Sequence, residues 1–371
     1  MPPATPGDAV HDLPTPCLIV DEDRMAANLE RAQAYANANG VTLRPHAKTH
    51  KSPDLARGQI AVGATGVCVA KLSEAEAFAD AGIDDLVMAH TPVGAAAADR
   101  AALLARRIRF AVGVDHRRQL LDLDRAGREH GVRIPIRIEV DSGAGRGGMP
   151  LEEAPAFAAS LADSGGVRLV GLYTYEGFTY AAPDVPSLHE RHLAMQRTLV
   201  ELADRIGDAS GERPRTSVGS TPSLLAEVPL LPGIDEIRPG TSIFLDAAQA
   251  TLAGGLDRCA AQVLATVVSR TGDRAILDAG SKSLASDVRA SGVCATDGFG
   301  RLTDGETVLT RLSEEHGVIE GPRAHAFAPG DQVRIVPNHV CAAVNLYDHL
   351  TLVRGDRVTR VLPVAGRGRR T

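Results

Sequence analysis

The chain has no tryptophan among its 371 residues, and aromatic residues make up only 3% of it. This excludes the aromatic stacking platform on which single-strand nucleic-acid binders rely. Basic residues show no excess: 40 Lys and Arg stand against 46 Asp and Glu, a net charge of −6. A mildly acidic chain has no electrostatic drive toward nucleic acid or an anionic membrane. No apolar run reaches the ~18 residues of a membrane span, and Met1–Asp12 lack the apolar stretch of a signal peptide. A cytoplasmic location is the expectation. Cysteine is scarce and odd in number, with Cys17, Cys68, Cys259, Cys294 and Cys341 scattered along the chain. That pattern is no disulfide framework. Four of them read as small packed hydrophobes; Cys341 stands apart because His339 lies two residues before it.

What is present is ordinary globular material, 44% hydrophobic and 23% charged, in a length that suits one large domain or two average ones. Short apolar runs alternate with helical stretches up to residue 246. The strand candidates are 17–20, 41–46, 66–70, 86–90, 109–114, 134–140, 169–175, 216–219 and 236–244. Between them lie Ala- and Leu-rich segments such as 73–81, 95–106, 116–130, 151–162 and 187–206. Nearly continuous apolar strands suit a parallel sheet covered on both faces. With the first strand set aside, eight strands separated by helices predict an α/β fold of the (β/α)8 TIM-type barrel kind, with a doubly wound open sheet as its rival. After residue 258 the helices fade and Gly and Pro punctuate short strands at 263–269, 274–277, 332–336 and 350–353. The expected division is a barrel over residues 14–258 and a mostly β domain over 259–365. Residues 1–13 are left open between joining the β domain and disorder, and Gly366–Thr371 is expected to fray.

Three local patterns carry chemistry. Arg44-Pro45-His46-Ala47-Lys48-Thr49-His50-Lys51 falls where the first barrel strand ends, and barrel enzymes build their sites at that end of the sheet. A lysine there is placed to become a nucleophilic amine, while the alternative is a solvated basic turn. In Gly219-Ser220-Thr221-Pro222-Ser223, glycine admits backbone amides and the hydroxyls add donors; this suits a phosphate, or a plain turn capping a helix. His339 and Cys341 share a face if they lie on a strand, and imidazole with thiolate suits Zn²⁺. A lone His-x-Cys is weak evidence by itself.

Taken in order, these patterns resemble the D-serine dehydratase and D-threonine aldolase family, whose alanine-racemase-like barrel (fold type III) binds pyridoxal 5'-phosphate and precedes a β domain. The match extends through Thr15-Pro16, Glu139 to Gly143 with Arg146 to Gly148, Arg238-Pro239-Gly240 to Phe244 with Asp246, and Leu277 to Lys282. Pro337 to Cys341 and Val344 to Leu346 complete it. It covers about residues 14–355.

The resemblance implies that Lys48 holds the cofactor as a Schiff base and that Arg146 approaches its phenolic oxygen. It places the phosphate against Gly219, Ser220, Thr221, Gly240 and Thr241, with His46 and Tyr175 lining the site beside Tyr173 and Glu176. It also assigns Zn²⁺, or another divalent metal, to His339 and Cys341. The implied activity is a lyase on β-hydroxy D-amino acids in a homodimer. The family's aldolases carry Asp at the position of Cys341 and His at that of Glu176, so both departures lean toward dehydration to a keto acid and ammonia. Retro-aldol cleavage to glycine and an aldehyde is the alternative, with Glu176 as a conceivable base. An amino-acid racemase ranks third, and a non-catalytic pyridoxal-phosphate carrier is the reading from another class.

Overall fold

A computed structural model describes residues 4–371. After a first strand, β1 (Cys17–Asp21), come β2 (Thr42–Leu43), β3 (Val67–Val69), β4 (Asp85–Met88) and β5 (Arg109–Val114). They are followed by β6 (Ile134–Glu139), β7 (Val167–Tyr173), β8 (Arg215–Val218) and β9 (Glu236–Ile237). Strands β2 to β9 are parallel and run in the order β2-β9-β8-β7-β6-β5-β4-β3. The remaining seam closes through a parallel bridge between His46 and Cys68, whose N–H donates to the Pro45 carbonyl at 2.8 Å. The eight barrel strands expected from the sequence are therefore the eight observed. β2 and β9 are shorter than their apolar runs because Pro45 and Pro239 have no N–H to extend the ladders.

Pleat alternation explains why these segments are strands. On β5, Phe110, Val112 and Val114 join the core shared with Leu104, Leu120 and Leu123 of the surrounding helices, whereas Ala111 joins Cys68 and Val87 in a small lumen cluster. The helix Arg117–Glu129 buries Leu120, Leu123, Ala126 and Gly127 on one face and starts with a capping box formed by His116 and Gln119. Truncating Leu123 to Ala would cost about 2–5 kcal/mol. Gly113 has a different task. A Cβ there would collide with the Tyr173 hydroxyl, so the tyrosine crosses the lumen only because β5 offers no side chain at that point.

The second sheet comprises β10 (Ala261–Thr271), β11 (Arg274–Leu277), β12 (Arg301–Leu302), β13 (Arg311–Leu312), β14 (Gly317–Glu320), β15 (Gln332–Val336), β16 (His349–Arg354) and β17 (Arg357–Pro363), together with β1. The strand set aside from the barrel belongs here, although it falls inside the span 14–258. Ile19 pairs antiparallel with Gln262 and parallel with Thr351, so β1 is a central strand with both edges satisfied. Residues 10–13 also lean on this sheet: Val10 and Leu13 pack with Leu264 and Val353.

Two expectations need correction. Residues 366–371 do not fray: the Gly366 N–H donates to the Lys51 carbonyl at 2.8 Å, and the Thr371 carbonyl accepts from Ser73 at 2.7 Å. His339 and Cys341 do not lie on a strand. β15 ends at Val336, His339 occupies the N-cap of the short helix Val340–Val344, and Cys341 stands in its first turn. No helix among the described residues is long and apolar enough to cross a membrane.

Candidate active site

The C-terminal ends of the barrel strands open into a cavity of about 720 Å³. The residues assigned from the sequence to cofactor and metal all line it: His46, Lys48, Arg146, Tyr175, Gly219, Ser220, Thr221, Gly240, Thr241, His339 and Cys341. They come from six separate stretches of chain. Lys48 sits in a single 3₁₀ turn, Ala47–Thr49, directly after the Pro45 break, which aims its side chain over the barrel mouth. Its Nζ stands 5.8 Å from the centre of the Tyr175 ring, and the Arg146 guanidinium lies 4.3 Å from the same ring. Two other lysines line the cavity, but Lys51 faces Glu74 at 3.6 Å and Lys71 contacts His90 at 3.0 Å. Lys48 is the lining lysine whose amine has no partner among the described residues. His46 is buried, and that burial, with the cations of Lys48, Arg238 and Arg146, holds its imidazole neutral, well below the usual range.

The far wall is a cradle of donors. Gly219 adopts a φ of +151° with its Cα against the Arg238 backbone, where any Cβ would collide. Ser220 then caps the short helix Thr221–Leu225 by accepting from the Ser223 N–H. Among the described residues, nothing accepts the backbone N–H of Ser220, Thr221, Gly240 or Thr241. The Thr221 hydroxyl is buried and equally unpartnered. Orphaned donors at one spot are costly unless a ligand takes them, so these residues fit a phosphate group.

Glu176 is not where the sequence placed it. Its carboxylate does not line the cavity; it lies fully buried behind the cradle, accepting from Gly219 N–H at 2.7 Å and facing His192 at 3.6 Å. The 3₁₀ segment Gly177–Ala181 turns the chain there and points the side chain outward from the mouth. Its role is to hold the loop bearing Gly219. Tyr173 fills the lumen below, donating to Glu139 at 2.8 Å. Burial pushes the Glu139 carboxyl up, an effect opposed by the Tyr173 bond and Arg146.

His339 meets two polar partners, the Cys341 thiol and the Asp287 carboxylate. Burial opposes a charge on its ring, but the neighbouring Cys341 and Asp287, 2.9 Å from Nδ1, outweigh it and push the imidazole up to about 9. Cys341 also contacts the Thr49 hydroxyl at 3.2 Å. No group of three metal-ligating side chains occurs among the described residues, so a metal here would have imidazole and thiolate as its protein donors, with positions left for water or substrate. Those two donors are chemically suited to a borderline cation, which must displace the imidazole proton. Arg238, quoted from sequence without a role, also lines the cavity, and residues missed from sequence include Asp287, Arg289 and Tyr180. Arg289 lies over the Tyr180 ring at 4.4 Å, on a stretch with no regular structure whose position no periodicity could reveal.

An unpaired amine, a cation beside an aromatic ring and an anion cradle at one barrel mouth are the groups a phosphorylated aldehyde cofactor requires. Comparison with known proteins agrees. Residues 20–248 match the alanine racemase N-terminal domain, and residues 260–353 match a putative serine dehydratase domain. The D-threonine aldolase of Arthrobacter sp. is 34% identical over 99% of this chain and 96% of its own length. The D-threo-3-hydroxyaspartate dehydratase of Delftia sp. (strain HT23) is 33% identical over 90% of this chain and 93% of its own. A solved structure of a D-threo-3-hydroxyaspartate dehydratase mutant in the metal-free form superimposes with a TM-score of 0.88, at 31% identity, covering 96% of this chain and 98% of the other. The chain belongs to the alanine-racemase-like, pyridoxal-phosphate-dependent lyases that join this barrel to a serine dehydratase domain.

Proposed function

We propose that the protein is a metal-assisted dehydratase of β-hydroxy D-amino acids, yielding a keto acid and ammonia. The observation that supports this most directly is the shared cavity: the free Lys48 amine and the His339–Cys341 donor pair open onto the same space. Pyridoxal phosphate, held by Lys48 and the cradle of Ser220, Thr221, Gly240 and Thr241, supplies an electron sink for bonds broken at Cα. Arg146 and Tyr175, which lie together beside Lys48, would flank the bound cofactor. The Lys48 amine, which lines the same cavity, would serve as the base for a Cα proton. His339 and Cys341 would hold a divalent cation, which would supply Lewis acidity at a β-hydroxyl. His46, kept neutral, adds no charge beside Lys48. The homodimer expected for the family belongs to the same reading.

A second reading, retro-aldol cleavage, is favoured by the relative named D-threonine aldolase. It needs a base at the β-hydroxyl. Glu176 cannot serve from behind the Gly219 loop, and the lining carboxylate of Glu139 is engaged by Tyr173. The test is to incubate the holoenzyme and Zn²⁺ with D-threonine and assay both product pairs. 2-Oxobutanoate with ammonia, lost on chelation and in Cys341→Ala, is the expected result. Glycine with acetaldehyde would overturn dehydration in favour of the aldolase.

A further inference from the structure

At the opposite end of the barrel lies a second cleft of about 430 Å³. Parallel strands all begin at one end, and here they begin with arginine: Arg109 and Arg215 open β5 and β8, Arg168 is second in β7, and Arg133 directly precedes β6. These four guanidiniums ring the opening. Arg44 and Arg137 form its floor and are 5% and 7% exposed. The carboxylates present are engaged. Asp85 takes Arg44 at 2.6 Å and Arg109 at 3.0 Å, Asp84 takes Arg109, and Glu236 takes Arg44 and Arg137. Arg133 reaches only the Val167 carbonyl, and Arg215 only the Thr42 hydroxyl and the Asp235 carbonyl. Arg168 has no hydrogen-bond partner for its side chain among the described residues. The Nε–H of Arg137 is buried and unpartnered, on a side chain that lines the cleft.

Six guanidiniums against three carboxylates invert the local charge in a chain whose net charge is −6. The rim cations without a carboxylate gain nothing from the fold by standing together, since like charges repel. Guanidinium forks match phosphate and carboxylate groups in the same bidentate manner. We propose that this cleft binds a compact polyanion carrying two or more phosphate or carboxylate groups, at a site separate from the cofactor cradle.

Calorimetric titration of the holoenzyme, in which the cofactor already fills the phosphate cradle, tests this with inorganic pyrophosphate and citrate as probes and acetate as the singly charged control. The expected result is one saturable site for a polyanion, weakened by added salt and weakened about tenfold or more in Arg168→Ser/Arg215→Ser. Tighter pyrophosphate binding would assign a phosphorylated ligand, and tighter citrate binding a polycarboxylate. Should the double variant misfold, Arg133→Ser, at a rim position, takes its place. An absence of saturable heat, acetate binding equal to that of the polyanions, or an unchanged Kd in the rim variants would overturn the proposal.

Discussion

The two ends of this barrel are built on the same strands and differ only in which residues meet the lumen. At the upper end, Ala70, Ala89, Gly219 and Gly240 leave room, and the cavity they open is bordered by Lys48 and a set of unpaired donors. At the lower end the corresponding register carries Arg109, Arg168 and Arg215. Between them a buried polar layer joins the two. Glu236 accepts from Arg44, Arg137 and the Ser217 hydroxyl, Ser217 accepts from Arg238, and Arg238 reaches the Thr174 carbonyl at 2.7 Å and lines the upper cavity. Small residues at one end make a site for chemistry; long cations at the other make a site for charge. A parallel barrel thus holds two functional registers, one at each strand terminus.

Lys48→Ala strikes the upper end hardest. Removing the amine is expected to lower kcat by at least ~10³-fold while leaving the Tm within a few degrees. Absorption spectra would also lose the band of lysine-bound cofactor. Unchanged turnover would remove Lys48 from the chemistry. The middle layer is tested by Glu236→Gln, which leaves Arg44 and Arg137 buried with a neutral partner. Loss of one member of such a buried set costs about 3–5 kcal/mol, to be read by denaturant unfolding. Burial works to raise the Glu236 carboxyl, but Arg137 and Arg44 overcome it and hold it well below the usual carboxylate range. The stability it contributes is thus present at neutral pH and is lost only at strongly acidic pH.

His50 gives a milder effect of the same sign, in a less acidic window. Burial lowers its pKa from 6.5 to about 4, against hydrogen bonds with Gln59 and Ser52. A histidine whose folded pKa lies below its unfolded value contributes stability above pH 6.5, and that stability drains away as pH falls toward 4. The contribution is at most about 3 kcal/mol, and the slope of Tm against pH over this window should flatten in His50→Asn. An equal slope would place the acid sensitivity elsewhere. The smallest effect concerns Gly113. Gly113→Ala should cost about 1–3 kcal/mol by overpacking, and Tyr173→Phe in the same chain should recover part of it by removing the colliding hydroxyl. Full additivity of the two changes would separate Gly113 from Tyr173.

Much of the upper site was legible because its groups travel in short local motifs. Lys48 follows the Pro45 that stops a strand, and Gly219 precedes the hydroxyls that end another. Motifs of this kind are set by backbone conformation over a few residues. The direction of Glu176 was not legible, since a one-residue change of phase at a strand end moves a side chain from mouth to outer wall. Asp287 and Arg289 were hidden for another reason: they sit on an irregular stretch that meets His339 and Tyr180 only through tertiary packing. Nor could composition mark Arg133, Arg168 and Arg215 as neighbours, since their convergence depends on strand order and on where each strand begins.

Local sequence was enough to set the eight-strand alternation, the break into a β-rich second half, the lysine turn and the glycine-hydroxyl loop. Each follows from periodicity or from the chemistry of adjacent residues. Long-range packing settled that β1 is the centre of the second sheet, that residues 366–371 dock against Lys51 and Ser73, and that His339 and Cys341 meet on a helix start. These outcomes depend on which distant groups satisfy a strand edge or a helix end, and no local pattern encodes that choice.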